Sequence, residues 1–218
     1  MNRSAVVLAV LVRALVTLAL LLGIVPPASA ASVWTENGWD PSALGDINPH
    51  VFATALDAAA AAVAKGEAHE PATLTIIDYT RPSTEKRMWV YDLRSRSLLF
   101  DELVAHGRGS GGVLATAFSN DPDSHMSSLG LFRTGEAYIG KNGYSLRLDG
   151  LDRGVNDNAR DRAIVIHGAP YVNAAIARAH GLLGRSWGCP AVRPAIARAL
   201  IDAVKGGGLL FAYGTPSR

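Results

Sequence analysis

From residue 73 onward the chain alternates between short apolar segments and turns that are rich in glycine or polar residues. Segments of this length, bounded by such turns, are typical of β-strands. The predicted strands cover residues 73–79, 87–93, 98–105, 129–134, 137–140, 145–148, 163–167 and 209–213. Helical patterns at residues 171–180 and 194–205 interrupt the series only near its end. The pattern therefore predicts a mainly β domain with flanking helices, which is an α+β fold.

A longer helix is predicted ahead of this domain, at residues 48–65. Asn48 can cap it, Pro49 suits its first turn, alanines fill its interior and Gly66 ends it. A polar linker follows, up to Pro71. We therefore divide the chain into an N-terminal helical segment at 31–70 and a main domain at 71–218.

The first thirty residues have the composition of a signal peptide. Arg3 begins a basic region, an uninterrupted apolar run covers residues 14–25, and the small residues at 28–30 offer a cleavage site. The alternative is an uncleaved transmembrane anchor, but Arg13 would then lie inside the span at a cost of about 3 kcal/mol. We therefore expect an exported protein that is soluble once residues 1–30 have been removed.

Removal of this segment leaves a chain without formal net charge, because two of the 21 basic residues and none of the 19 acidic ones lie within it. A neutral balance does not favour binding to nucleic acid, which calls for a basic excess. The bases are concentrated at residues 141–198, with 9 bases and 4 acids, whereas residues 31–140 carry 8 bases and 14 acids. Such an asymmetry is typical of a solvated surface, unless a site for an anionic ligand lies in the basic part.

The lone cysteine, Cys189, lies in the segment GRSWGCPAV at residues 184–192. A single cysteine forms no internal disulfide, and in isolation it is more often a small core residue than a nucleophile. The neighbours Ser186, Gly188 and Pro190 indicate an irregular loop, in which Gly188 lets backbone N–H groups face a small anion. An unpaired thiol is also a liability in an exported protein unless it has a function. We therefore treat Cys189 as a candidate nucleophile.

A thiol nucleophile requires a base, and the candidate is His167. It stands at the end of the apolar segment AIVIHG, where Gly168 turns the chain away. A histidine at a strand end can be both held in place and partly exposed, as a general base must be. The alternative is a histidine without a catalytic function.

The remaining histidines and the loop acids do not form a recognisable metal site. No HxxxH or HExxH pair occurs, and the acids do not follow the order of an EF-hand loop. The sequence therefore predicts no metal and no other cofactor.

A strand that ends in His167-Gly168, followed downstream by Ser186-Trp187-Gly188-Cys189, resembles the L,D-transpeptidases of bacterial cell-wall synthesis. Residues 127–172 are similar to one branch of that superfamily, the murein L,D-transpeptidase catalytic-domain proteins. The resemblance covers residues 73–213. It implies the fold of that catalytic domain, a mixed β-sandwich or barrel, and a function in peptidoglycan metabolism.

The resemblance also implies a mechanism. Cys189 would attack the carbonyl that joins the third residue of a stem peptide, usually a diamino acid, to the terminal D-alanine. His167 would take the thiol proton and later protonate the leaving amine. A thiolate–imidazolium pair would lower the pKa of Cys189, and backbone N–H groups at Gly188 and Cys189 would stabilise the oxyanion. Ser186 would orient the loop or contact the catalytic pair, unless it only bonds its own backbone.

Further residues are expected to contact the substrate. Many family members carry an arginine two positions after the nucleophile, but here that position is Ala191. Arg193 and Arg185 are therefore equal candidates for binding a carboxylate of the stem peptide. Trp187 and Gly168 are expected to line the cleft, although a loop tryptophan can also merely cover the edge of a core.

Three functions remain open. The first is an L,D-transpeptidase that transfers the acyl group to an amine, and the second is an L,D-carboxypeptidase that uses water as the acceptor. The third is a cell-wall-binding protein with a silent site, which the presence of both Cys189 and His167 disfavours. For the enzyme, the expected partners are peptidoglycan stem peptides, the expected location is the periplasm or cell envelope, and the expected state is a monomer.

Overall fold

The structure is a computed structural model that describes residues 32–216, and within this range it contains eight strands and three α-helices. The strands are β1 (Thr73–Asp78), β2 (Met88–Asp92), β3 (Ser97–Glu102), β4 (Gly130–Gly140), β5 (Gly143–Gly150), β6 (Val165–Gly168), β7 (Ala191–Val192) and β8 (Leu209–Tyr213). The helices are α1 (Pro49–Ala64), α2 (Ala174–His180) and α3 (Pro194–Val204). The predicted signal peptide at residues 1–30 lies outside the described residues. Of the helices within them, none is long and apolar enough to cross a membrane.

All eight strands belong to one mixed sheet with the order β3-β2-β1-β8-β4-β5-β6-β7. The β1–β8 and β6–β7 pairs are parallel, and the other neighbours are antiparallel. The chain that follows β3 then meets β7, where the N–H of Ala105 donates to the carbonyl of Ala191 at 2.9 Å. This contact brings the two edges of the sheet together and nearly closes it into a barrel. The predicted mainly β fold with flanking helices is confirmed.

Helices α1 and α3 cover opposite faces of the sheet. Leu74 and Ile76 of β1 pack in one core with Phe52 of α1, while Ile77 packs in the other with Leu200 of α3. Both faces of β1 are therefore buried, which explains why its sequence TLTIID does not alternate cleanly between apolar and polar residues. The division of the chain at residue 70 stays a prediction, but α1 shares its core with the sheet.

Local sequence signals account for most of the boundaries. The side chain of Asn48 accepts the N–H of His50 at 2.9 Å and caps α1, and Gly66 follows its end with a φ of +74°. The predicted strands at 129–134 and 137–140 are one strand, β4, because the chain continues through a register shift between Thr134 and Ala137. Strand β7 was not predicted, since two residues carry no periodicity of their own.

Candidate active site

The loop that carries Cys189 is fixed at Ser186, where the barrel closes. The N–H of Ser186 donates to the His106 carbonyl at 3.0 Å, and the N–H of Arg108 donates to the Ser186 carbonyl at 2.8 Å. The Ser186 hydroxyl donates to the Cys189 carbonyl at 2.6 Å and accepts the N–H of Gly188 at 3.1 Å. Ser186 therefore fixes the peptide groups on both sides of the nucleophile, through the N–H of Gly188 and the carbonyl of Cys189.

Position 188 requires glycine both because of its backbone conformation and because there is no room for a side chain. Its φ is +115°, and a Cβ at this position would lie 2.7 Å from the Met126 carbonyl oxygen and 2.9 Å from Ile164 Cδ1. The Ser127 hydroxyl donates to the Gly188 carbonyl at 3.2 Å. Because the N–H of Gly188 is already bonded to Ser186, the N–H of Cys189 is the better candidate for an oxyanion donor.

His167 lies at the end of β6, where its ring is buried and oriented by its own neighbour. Nδ1–H donates to the Gly168 carbonyl at 3.0 Å, so Nε2 carries the free lone pair. Burial lowers the pKa of His167, and the Gly168 carbonyl opposes this shift only in part. The imidazole is therefore neutral at neutral pH, as a general base must be. The sequence left the residue that orients His167 undetermined, and in the structure it is Gly168.

Strand pairing brings the segment that follows Cys189 alongside His167. His167 of β6 is paired in parallel with Ala191 of β7, two residues after Cys189. Cys189 Sγ donates to the Ala163 carbonyl at 3.6 Å, however, and no hydrogen bond joins it to His167 in the part of the chain that the structure describes. The resting arrangement brings the two groups to one edge of the sheet without pairing them.

The pKa of Cys189 departs from its usual value in the direction opposite to the one expected from the sequence. Burial raises the pKa of the thiol, while the Val165 backbone and the charge of Arg162 oppose that rise. The expectation of a lowered pKa was wrong for the resting site, because the imidazole that was to stabilise the thiolate is neutral and unpaired with it. Cys189 is a neutral thiol at rest.

The two candidate arginines have different surroundings. Arg193 forms a two-pronged ion pair with Glu102, with Nε–Oε2 at 2.8 Å and Nη2–Oε1 at 2.6 Å. Its guanidinium is thus engaged by a carboxylate of the protein itself. Arg185 is exposed and donates one hydrogen bond, to the Gly111 carbonyl at 2.8 Å. Arg185 is therefore the better candidate for a substrate carboxylate.

Trp187 and Gly168, both expected to line the cleft, also differ. Trp187 is 65% exposed, its ring lies 4.8 Å from that of His125, and the Arg108 guanidinium sits 5.3 Å above it. Gly168 instead faces α3, where an added Cβ would lie 3.0 Å from that of Ala197. Close packing and the carbonyl offered to His167 explain Gly168 without a substrate contact.

Arg108 and His125 are the residues around Trp187 that the sequence reasoning missed. Arg108 Nη2 lies 2.9 Å from His125 Nδ1, so the three side chains form an exposed platform next to the nucleophile loop. Nothing in the spacing of these residues indicates this contact, because they come from three separate segments. As for metals, no group of three His, Cys, Asp or Glu side chains that could hold an ion occurs within residues 32–216.

The sequence of the described domain matches one family of proteins. The sequence model of the L,D-transpeptidase catalytic-domain family matches residues 44–213 of this chain. The chain therefore belongs to the L,D-transpeptidase catalytic-domain family, and the resemblance seen in the sequence motifs is confirmed.

Solved structures of L,D-transpeptidases are similar to the chain at low sequence identity. L,D-transpeptidase 1 of Mycobacterium tuberculosis is 14% identical with a TM-score of 0.37, over 66% of this chain and 62% of that one. An L,D-transpeptidase of Stackebrandtia nassauensis is 13% identical with a TM-score of 0.40, over 68% and 58%. The helical cell shape determining protein Pgp2 of Campylobacter jejuni is 12% identical with a TM-score of 0.43, over 67% and 49%.

The chain spans less than two thirds of the length of these three proteins. No curated protein matches it significantly. The family assignment accordingly rests on the domain match.

Proposed function

We propose that this protein is a peptidoglycan L,D-transpeptidase that forms an acyl-enzyme at Cys189. The observation that carries the proposal is the pairing of His167 in β6 with Ala191 in β7, two residues after Cys189, in a chain of the L,D-transpeptidase family. The substrate is a tetrapeptide stem of peptidoglycan, and its terminal D-alanine is the leaving group.

The reaction begins with proton transfer, because both partners are neutral at rest. Substrate binding brings Sγ away from the Ala163 carbonyl and toward Nε2 of His167, which takes the thiol proton. The sulfur electron pair then bonds to the carbonyl carbon of the third residue, and the π electrons of the carbonyl move to its oxygen. The N–H of Cys189 donates to the resulting oxyanion.

The tetrahedral adduct collapses by breaking the C–N bond to D-alanine. His167 returns its proton to the leaving nitrogen, D-alanine departs, and the stem remains on Cys189 as a thioester. An acceptor amine attacks the thioester, passes a proton to His167, and displaces the sulfur, which then regains that proton. If water is the acceptor, the same steps release a tripeptide and the enzyme acts as an L,D-carboxypeptidase.

Two residues of the loop that carries Cys189 are proposed to contact the substrate. Arg185 binds a carboxylate of the stem peptide, since its guanidinium has no carboxylate partner within residues 32–216. Trp187 forms a wall of the cleft, supported by Arg108 and His125. We further propose that the protein works in the periplasm or cell envelope as a monomer, after export directed by residues 1–30.

The test is turnover of purified disaccharide-tetrapeptide by the wild-type protein and its Cys189→Ala variant, read by LC–MS in water enriched in oxygen-18. A crosslinked dimer with loss of D-alanine, absent in the variant, supports the transpeptidase. Tripeptide alone, labelled by the water, moves the function to the carboxypeptidase. Unchanged substrate with both proteins contradicts both enzymes and leaves the silent wall-binding protein.

A further inference from the structure

Arg162 is a half-buried cation that the structure surrounds with neutral acceptors. Its guanidinium donates to the Ser119 carbonyl at 2.8 Å, the Ser128 hydroxyl at 2.6 Å, the Ser124 hydroxyl at 3.1 Å and the Met126 carbonyl at 2.7 Å. None of these acceptors is charged, and no carboxylate within residues 32–216 forms a salt bridge with it. Partial burial of a cation without a paired anion has a cost that hydrogen bonds to neutral acceptors offset only in part, and a nearby negative charge would offset it further.

The guanidinium lies directly below the nucleophile loop. A Cβ built on Gly188 would be 3.5 Å from Arg162 Nη2 and 2.7 Å from the Met126 oxygen that Nη2 holds. The next residue along the chain, Ala163, provides the carbonyl that accepts from Cys189 Sγ. Arg162 is therefore next to Cys189 in two ways: its guanidinium lies beside Gly188, and its neighbour in the chain, Ala163, bonds the thiol.

Apart from Arg162, the titratable groups that interact with the buried thiol are neutral at rest. Tyr79 and Tyr171 both interact with Cys189, and burial raises the pKa of each phenol. Burial also keeps His167 neutral by lowering its pKa. In the described part of the chain, Arg162 is thus the one full charge found to act on Cys189.

Arg162 in turn is affected by two acidic groups. Burial lowers the pKa of Arg162, whereas Cys189 and then Asp121 favour its charged form. Asp121 lies beyond ion-pair distance and is exposed at the surface, where solvent weakens its field. A negative charge on the buried sulfur is accordingly the better counterpart for the guanidinium.

We propose that Arg162 is a positioning residue that holds a positive charge beneath Cys189 and favours its thiolate. The proposal rests on the proposed function, in which Cys189 must lose its proton before it attacks. It also explains why a cation is built into the protein with neutral partners: the charge is compensated when the thiolate forms. Arg162 acts through the loop and the field at Sγ and does not contact the substrate.

The experiment is a pH titration of Cys189 in the purified protein, by rate of iodoacetamide alkylation and by ultraviolet thiolate absorbance, between about pH 7 and pH 11.5. The Cys189→Ala variant gives the background of both signals. Arg162→Gln retains amide donors for the Met126 carbonyl but removes the charge, and we expect its midpoint to rise by about one pH unit. That shift corresponds to a roughly tenfold lower alkylation rate below the midpoint. Arg162→Lys retains the charge and is expected to stay near the wild-type midpoint.

Arg160→Gln is the matched control. Arg160 lies two residues away on the same segment, is exposed, and forms ion pairs with Asp149 and Glu136. Its replacement should leave the midpoint unchanged. A folded Arg162→Gln variant with the wild-type midpoint overturns the proposal and leaves a structural role only.

If Arg162→Gln does not fold, Arg162→Met takes its place, because methionine fills the space of the arginine stem without its charge. A midpoint raised by about one unit in folded Arg162→Met supports the role of the charge, and a wild-type midpoint overturns it. The titration needs no peptidoglycan, so it is separate from the proposed function. If the wild-type protein does not turn over the substrate but the midpoint of Arg162→Gln is shifted, only the proposed reaction is rejected. If the wild-type protein turns over the substrate but the midpoint of Arg162→Gln is unshifted, only the role of Arg162 is rejected.

Discussion

The Ser186 hydroxyl donates a hydrogen bond of 2.6 Å to the carbonyl of Cys189, three residues further along the chain. The same hydroxyl accepts the N–H of Gly188 at 3.1 Å, so one side chain satisfies two peptide groups of the nucleophile loop. This relationship gives the serine of the motif a specific function, which is to fix the direction of the peptide bond that carries the thiol.

Replacement of Ser186 by alanine is expected to weaken both the fold and the reaction. The buried Gly188 N–H and Cys189 carbonyl would lose their partner, at a cost of about 1–3 kcal/mol in the free energy of unfolding. Turnover should fall by at least tenfold in protein that is still folded, because the N–H of Cys189 would no longer be aimed at the oxyanion. Urea denaturation and turnover by LC–MS measure the two effects. The exposed Ser42→Ala is the control, and wild-type values for Ser186→Ala would contradict this role.

Gly188→Ala tests the second feature of the loop. An alanine at a φ of +115° costs about 1–3 kcal/mol of backbone strain, and its Cβ would also lie 2.7 Å from the Met126 oxygen. We expect loss of activity and a clear fall in the urea midpoint. Gly207→Ala is the matched control, since its φ is +108° and a Cβ there meets nothing within 4 Å. Equal effects of the two substitutions would show that backbone strain alone, and not the contact with Met126, explains the glycine.

The strands could be predicted because their signals are local, and the candidates His167 and Cys189 were found from signals of the same kind. Eight short segments with turns between them indicated the β domain, and His167 and Cys189 each lie in a recognisable motif. Strand β7 could not be found in this way, because it exists only by pairing with β6 and by the contact of Ala191 with Ala105.

Contacts between distant segments account for the rest. The expectation for Arg193 could not take into account Glu102, which lies 91 residues away in the chain. The pKa of Cys189 depends on burial and on Arg162, neither of which a motif reveals. Interactions of this kind, between residues far apart in the chain, could therefore be found only in the three-dimensional structure.

Arg185 and Arg193 are expected to give opposite results when each is replaced by methionine. Arg193→Met breaks the ion pair with Glu102 and should lower the free energy of unfolding by about 1 kcal/mol, since its side chain is 39% exposed. Its KM for the tetrapeptide should stay within twofold of wild type. Arg185→Met should leave stability unchanged and raise KM about tenfold, because one charge-assisted contact to a carboxylate is lost. Denaturation and steady-state kinetics on both variants check this, and a raised KM for Arg193→Met alone would reverse the assignment.

Acid is expected to destabilise the protein through His106, which lies fully buried beside the closure of the barrel. Burial, followed by the charge of Arg87 at 2.8 Å from Nδ1, lowers the pKa of His106 to about 4. In the unfolded chain the pKa is about 6.5, so between these values the unfolded state binds more protons than the folded one. The stability that depends on neutral His106 is therefore complete above about pH 6.5 and is lost as the pH falls through about 4, by about 3 kcal/mol.

Urea midpoints measured across this pH range in the wild type and in His106→Gln provide the check. His167 shifts in the same direction, so the difference between the two proteins isolates the contribution of His106. The variant should be less stable at neutral pH but lose less stability on acidification, and the exposed His69→Gln should follow the wild type. An acid dependence in His106→Gln as steep as that of the wild type would mean that another group controls unfolding in acid, because the slope follows the difference in bound protons between the two states.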